Sequence, residues 1–193
     1  MSKKDDIYHS VLIVSASEKF DQIVKRSLAG YITVDTKKSA ALARRCILER
    51  YYDLVVINSP LPDETGEDFA MFVTENCNAS VLMVIPQDVL EETLMHVTDN
   101  GVLLIPKPTP PGRIDKGVRY LLAIQNKMHL LENKARQAEE KLEEMRMVNK
   151  VKFLLIEKKH MTEDEAHRYI GKLAMDNGIS RGSAARSILD EME

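Results

Sequence analysis

From Val118 to His160 the chain contains neither glycine nor proline. The spacing predicts one long helix, entered after the prolines near Arg113. A helix from 113 to 160 would be roughly 70 Å long at ~1.5 Å per residue. Within it Leu121, Ile124, Met128, Leu131, Ala135, Ala138, Leu142 and Met145 recur at alternating intervals of three and four. That is the a/d stripe of a heptad repeat, and its flanks (Glu132, Lys134, Glu139, Glu140, Lys141) are charged. A helix this long cannot stay dry inside a chain of 193 residues, so its stripe needs a partner. An intramolecular helical hairpin is one solution. The sequence holds no second helix of matching length, which favours a parallel homodimeric coiled coil, weakest at the small Ala135–Ala138 layer. The long helix divides the chain into residues 1–122, a helical linker at 123–150, and residues 151–193.

The first part alternates short apolar runs with helical patterns. Val11–Val14, Tyr31–Val34, Leu54–Ile57, Val81–Ile85 and Val102–Ile105 read as strands. Residues 18–29, 39–50, 67–76 and 88–97 read as helices. Apolar runs without alternation suit strands buried on both faces, with the helices as crossovers. Five such units predict an α/β fold: a doubly wound, five-stranded parallel sheet of flavodoxin-like type. Its functional crevice should lie at the carboxyl ends of the strands.

Residues 151–193 predict a small three-helix bundle. Thr162 followed by Glu165 is a capping box, with Met161 placed to staple against Ala166. Ala166, Tyr169, Ile170, Leu173 and Ala174 form one apolar face. Asn177-Gly178 ends that helix, and Ser180 caps the next, whose apolar face is Ala184, Ala185, Ile188 and Leu189. Val151, Leu154 and Leu155 close the core from the long helix.

Composition removes several function classes. Aromatic residues make up 5% of the chain and Trp is absent, which argues against an aromatic stacking platform. No apolar run approaches the ~18–20 residues of a membrane span, and Met1 to Asp6 lack the pattern of a signal peptide. Cys46 and Cys77 form neither a metal-ligand cluster nor a disulfide framework, which suits a reducing cytoplasm. The five His have no Cys or carboxylate partners at metal spacing, and no phosphate-binding glycine loop is present. We therefore expect no enzyme activity, no metal and no cofactor.

Charge is uneven. Residues 1–122 carry 14 Lys and Arg against 17 Asp and Glu, whereas residues 151–188 carry 7 against 5. In the latter segment Arg168 and Lys172 are i,i+4 neighbours. Lys152 and Lys159 lie one heptad apart. Arg181 falls in the first turn of the last helix, where the amides favour an anion, and Arg186 is a turn and a half beyond. These cations form either a solvated face or a phosphate-contacting surface, with His167 and Tyr169 near enough to stack on a base; Tyr169 by its spacing is assigned to the core.

Residues 151–190 resemble the ANTAR domain of transcription antitermination regulators. The resemblance is carried by the long first helix, the TEDEA entry to the second, the AMD stretch and the short third helix. Residues 8–127 resemble a response-regulator receiver domain, through the topology and Lys107-Pro108 after the fifth strand. A receiver needs acids after its first strand to hold Mg²⁺, an acceptor Asp ending the third, and a Thr or Ser after the fourth. Here Ser15, Ala16 and Ser17 replace the acids, Asn58 replaces the acceptor, and Ile85-Pro86 replace the hydroxyl pair. Lys107 alone remains, free to snorkel or to bond Asn58, while Asp53 and Asp63 read as structural. The resemblance implies a pseudo-receiver that is not an aspartyl-phosphate switch and that answers to a regulatory protein or ligand, or holds a constitutive dimer. It also implies a dimeric, RNA-binding antiterminator that holds hairpins of nascent leader RNA. A protein-interaction adaptor and a DNA-binding regulator are the alternatives.

Overall fold

A computed structural model describes residues 9–28 and 32–192. Met1 to Asp6, Ala29 and Tyr31, which the sequence assigns to a polar start, a helix end and a strand start, lie outside the described residues. The chain divides into two compact units, Met1–His129 and Leu130–Glu193, described here separately.

In the first unit, strands β1 (His9–Val14), β2 (Ile32–Lys37), β3 (Leu54–Asn58), β4 (Ser80–Pro86) and β5 (Val102–Lys107) form one all-parallel sheet in the order β2-β1-β3-β4-β5. Helices α1 (Glu18–Ser27), α2 (Ala40–Glu49), α3 (Glu67–Asn76) and α4 (Leu90–Val97) supply the crossovers. A short 3-10 turn, Gln87–Val89, precedes α4, so the helix expected over 88–97 starts later. The apolar runs are buried on both faces, as a doubly wound sheet requires. Leu12, Val14, Val55, Ile57, Val81, Met83 and Ile85 pack under α2 and α3. The alternate residues Val11, Ile13, Leu54, Val56, Leu82 and Val84 pack on the opposite face against Phe20 and Val24 of α1 and Ile114, Val118, Leu121 and Leu122 of helix α5 (Pro111–Lys159).

This packing corrects the stripe. Leu121 is 5% exposed inside the first unit's core, and Ile124 packs against it, so neither is free for a coiled-coil seam. The first unit also runs beyond 122. Gln125 Nε2 donates to the Asn78 carbonyl (2.8 Å) and to Ser80 Oγ (3.0 Å), and His129 Nε2 lies 2.7 Å from Asp53 Oδ1. Asp53 Oδ2 in turn accepts the Ser10 amide at 2.8 Å. One carboxylate thus joins β1, the start of β3 and α5. Asp63 also proves structural: it accepts the amides of Ala40 and Ala41 at 3.0 and 2.9 Å, capping α2.

The second unit consists of residues 130–159 of α5 with α6 (Glu163–Asn177) and α7 (Arg181–Met192). Its core is Val151, Leu155, Ala166, Ile170, Ala174, Ala184, Ala185 and Ile188, joined by Met147 and Val148 from upstream of 151. Tyr169, expected in that core, is 38% exposed, and Leu154 is only partly buried. The capping box forms: Thr162 Oγ1 accepts the Glu165 amide (3.3 Å), and Glu165 Oε2 accepts the Thr162 amide (2.8 Å). Gly178 ends α6 at φ 63°, a left-handed conformation that glycine adopts without steric cost. Ser180 Oγ accepts the Ser183 amide at 3.1 Å and caps α7.

Candidate functional site

Two regions gather the residues singled out from the sequence. The first is the carboxyl edge of the sheet. Ser15 follows β1, Asn58 ends β3 and Lys107 ends β5, so the fold brings the three expected positions to one edge. Ser15 is 1% exposed. Its Oγ accepts Asn58 Nδ2 at 3.1 Å and the Ser17 amide at 3.0 Å. Lys107 does not bond Asn58. Its ammonium donates to the Ser59 backbone carbonyl, and burial lowers its pKa. Ala16 is exposed and offers no donor or acceptor on its side chain. Asp21, on α1 beside Ser15, is a carboxyl that the sequence reading missed; burial raises its pKa. A hard divalent ion prefers several carboxylate oxygens. Ser15, Ala16 and Asn58 supply none, so these residues do not fit Mg²⁺, and the Asn58 amide is no substitute for a carboxylate nucleophile. Among the described residues no group of His, Cys, Asp or Glu could hold a metal ion, and no helix is long and apolar enough to cross a membrane.

The second region is the surface of residues 130–192. Two open grooves meet along α6. One, of about 420 Å³, is lined by Lys141, Met145, Val148, Asn149, Lys152, His167 and Arg181, with one acid, Glu144, in its wall. The other, of about 450 Å³, is lined by His167, Arg168, Gly171, Lys172, Met175 and Arg181. His167 and Arg181 belong to both. Four of the six expected cations, Lys152, Arg168, Lys172 and Arg181, therefore share one continuous concave face, with Lys141 added from α5. The fold separates the other two. Arg186 lies in an acidic concavity with Glu140, Glu143 and Glu144. Lys159 lines neither groove and stands 5.3 Å from the ring centroid of Tyr169, a cation–π contact. Lys152 is also partly neutralised: its ammonium donates to Glu163 Oε1 at 2.7 Å, which lowers the Glu163 pKa.

Residues 136–189 match the ANTAR domain family. The chain carries an ANTAR domain. Its first unit has the fold of signal receiver domains. It is similar to the signal receiver domain of a protein described as a Luxo repressor from Vibrio parahaemolyticus, at 19% identity and a TM-score of 0.59, over 65% of this chain and 98% of that one. It is also similar to the signal receiver domain of an HD domain-containing protein from Pseudomonas fluorescens Pf-5, at 16% identity and a TM-score of 0.56, over 67% and 98%. A chemotaxis response regulator of Vibrio cholerae gives 20% identity and a TM-score of 0.52, over 60% and 99%. No curated relative matches the chain.

The ANTAR match begins at 136 rather than 151, so part of the residues read as a linker belongs to this domain. Met145, Val148 and Asn149 line the first groove from there, as does Lys141, which the sequence marks only as a charged flank of the stripe. The fold also revises the expected anion position of α7. The amide of Gly182 is already bonded, at 2.8 Å, to Oε1 of Glu144 on α5. That bond, with Ser180 and Arg181 beside it, holds the Glu144 carboxyl below its usual range. Arg181 lines both grooves. No pattern in the sequence marked Glu144, because a glutamate facing a glycine 38 residues away has no local signature. Of the remaining stripe, Met128, Leu131, Leu142 and Met145 are 44, 54, 48 and 62% exposed, and Ala135 and Ala138 are exposed as well.

Proposed function

We propose that this protein is an RNA-binding transcription antitermination regulator. It works as a dimer and holds hairpins in nascent leader RNA, so that the hairpin cannot rearrange into a terminator and the polymerase reads through. The observation that carries the reading is the concave basic face of the ANTAR domain, where Lys141, Lys152, Arg168, Lys172 and Arg181 converge around His167. Lys and Arg on phosphates supply affinity and register, and His167 is placed to stack on a splayed loop base. One such face makes few phosphate contacts. Two faces linked by a coil make the second contact intramolecular and gain on the order of 10²–10⁴ in avidity. The exposed apolar positions Met128, Leu131, Ala135, Ala138, Leu142 and Met145 supply the seam for that dimer.

The receiver-fold unit serves as a pseudo-receiver in the cytoplasm. With Asn58, Ser15 and Ala16 in place of the acids, it takes its input from a regulatory protein or ligand, or holds the dimer constitutively, rather than from aspartyl phosphate. The test is an electrophoretic mobility shift with single-hairpin RNA, tandem-hairpin RNA and duplex DNA of equal length. Tandem-hairpin RNA should bind most tightly. Equal binding to duplex DNA would favour a DNA-binding regulator, and no binding to either would favour a protein-interaction adaptor.

A further inference from the structure

We propose that Glu144 is a positioning residue for the RNA-contacting surface: from the long helix it holds the first turn of α7 and so fixes where Arg181 projects. The inference rests on the RNA reading above. Helix α7 begins at Arg181, and its first-turn amides are satisfied from two sources. Ser180 Oγ takes the Ser183 amide at 3.1 Å, while the half-buried Glu144 takes the Gly182 amide at 2.8 Å. The approach is close. A Cβ on residue 182 would lie 2.7 Å from Glu144 Cγ and 3.3 Å from its Cβ, so only glycine admits the glutamate side chain. Arg181 sits between Ser180 and Gly182 and lines both grooves.

Packing alone leaves the rotation of α7 weakly specified. The side chains it buries fully are Ala184, Ala185 and Ile188, with Leu189 and Met192 packed partly against the core, and two alanines interlock little with a neighbouring helix. A directional hydrogen bond from a fixed helix supplies what that smooth interface lacks. The charge of Glu144 points the same way. A carboxylate in the groove wall repels phosphate, so direct RNA contact would select against it, whereas a positioning role needs its oxygen.

The test uses the full-length protein and fluorescence anisotropy on a labelled tandem-hairpin RNA over a salt series, with thermal melts run in parallel. Arg181→Ala should weaken binding about tenfold, the lower end of the worth of a hydrogen bond to a charged group, and make the salt slope shallower by about one. Glu144→Ala should give the same loss, and the double variant should bind no more weakly than either single one, because both remove the same contact. Gly182→Ala should match Glu144→Ala. Glu144→Gln keeps an oxygen for the Gly182 amide and should restore binding to within roughly twofold of the parent, the scatter expected of independent sites. The proposal is overturned if Glu144→Ala binds as tightly as the parent or more tightly, if the Glu144 and Arg181 losses multiply as a general loss of stability would make them, or if Glu144→Gln fails like the alanine. An effect of Arg181→Ala without one of Glu144→Ala sinks the positioning role alone. A parent that does not bind the RNA sinks the RNA reading and this inference together.

Discussion

The two units differ in what holds them. On one sheet face the receiver-fold unit buries Phe69, Ile57, Met83 and Ile85, and on the other Leu12's alternates Val11 and Ile13 with Leu54 and Leu82, all without exposure. In the ANTAR unit four of the eight buried core residues are alanines. The first is determined by apolar volume, roughly 25 cal/mol for each Å² removed from water. Its polar edge therefore needs no carboxylates at Ser15 and Asn58 to hold the fold; the two side chains bond to each other. The second cannot lean on volume, since small cores are marginal. It relies on directional contacts instead: the Thr162–Glu165 capping box, the Ser180 cap, Gly178 and the Glu144–Gly182 bond.

The largest test of this contrast is Leu155→Ala. A buried leucine truncated to alanine costs roughly 2–5 kcal/mol, comparable with the whole stability of so small a unit at ~0.05–0.15 kcal/mol per residue. Hydrogen exchange should show the amides of 150–190 losing protection while those of β1, β3 and β4 keep theirs. Simultaneous loss in the sheet would mean that the units do not differ in this way.

Next comes the seam. In the proposed coil, Leu131→Glu with Leu142→Glu would place like charges across the two-fold axis and should cost several kcal/mol, giving a monomer in sedimentation. An intact dimer would move the interface elsewhere, most directly to the edge of the receiver-fold sheet.

Acid sharpens the comparison with a smaller effect. Glu144, Glu163 and Glu165 of the second unit all have pKa values held below the ordinary glutamate value of 4.5, by the Gly182 amide, by Lys152 and by the Thr162 amide respectively. A carboxyl lowered in the folded state contributes stability that is present above 4.5 and lost as pH falls through the folded value. In the first unit, among the described residues, burial raises Asp21, the opposite sign, while the Ala41 and Ala40 amides lower Asp63. Thermal unfolding followed from pH 7 downward should therefore show the ANTAR unit losing stability first as pH drops below 4.5. A first unit that melts earlier on acidification would contradict the assignment.

The smallest expected effect is none. Incubation with Mg²⁺ and a small phosphodonor should add no mass to the protein, and Asn58→Asp alone should not change that, because Ser15 and Ala16 supply no carboxylate for the metal. A phosphoryl adduct on residues 50–65 would restore the receiver chemistry that these residues argue against.

Most of the first unit was legible in the sequence because buried parallel strands are continuous apolar runs. VLIV, LVVI and VLMVI need no tertiary information to be recognised. The capping box and Gly178 were legible for a similar reason, since their partners lie within four residues. What escaped was non-local. The heptad spacing continues through Leu121 and Ile124, but the sheet claims those two side chains first, and periodicity does not say which surface takes an apolar stripe. Tyr169 has core spacing, yet it lies under Lys159. Arg186 and Lys159 carry the same charge as Arg181, and only the packing of the three helices sets them apart: Arg186 lies among Glu140, Glu143 and Glu144, and Lys159 over Tyr169. Lys141 reads only as a charged flank of the stripe, and Glu144 faces a glycine 38 residues away with no local signature.

The central claim is that the ANTAR surface binds RNA through the cations of its two grooves. The most direct measurement is the salt dependence of full-length protein binding to tandem-hairpin RNA, compared between the parent and Arg168→Ala with Lys172→Ala. The account predicts a steep slope for the parent, made shallower by about two in the double variant at one per lost phosphate contact, and much weaker binding to duplex DNA of equal length. A slope unchanged by the two substitutions, or equal affinity for RNA and duplex DNA, would contradict it.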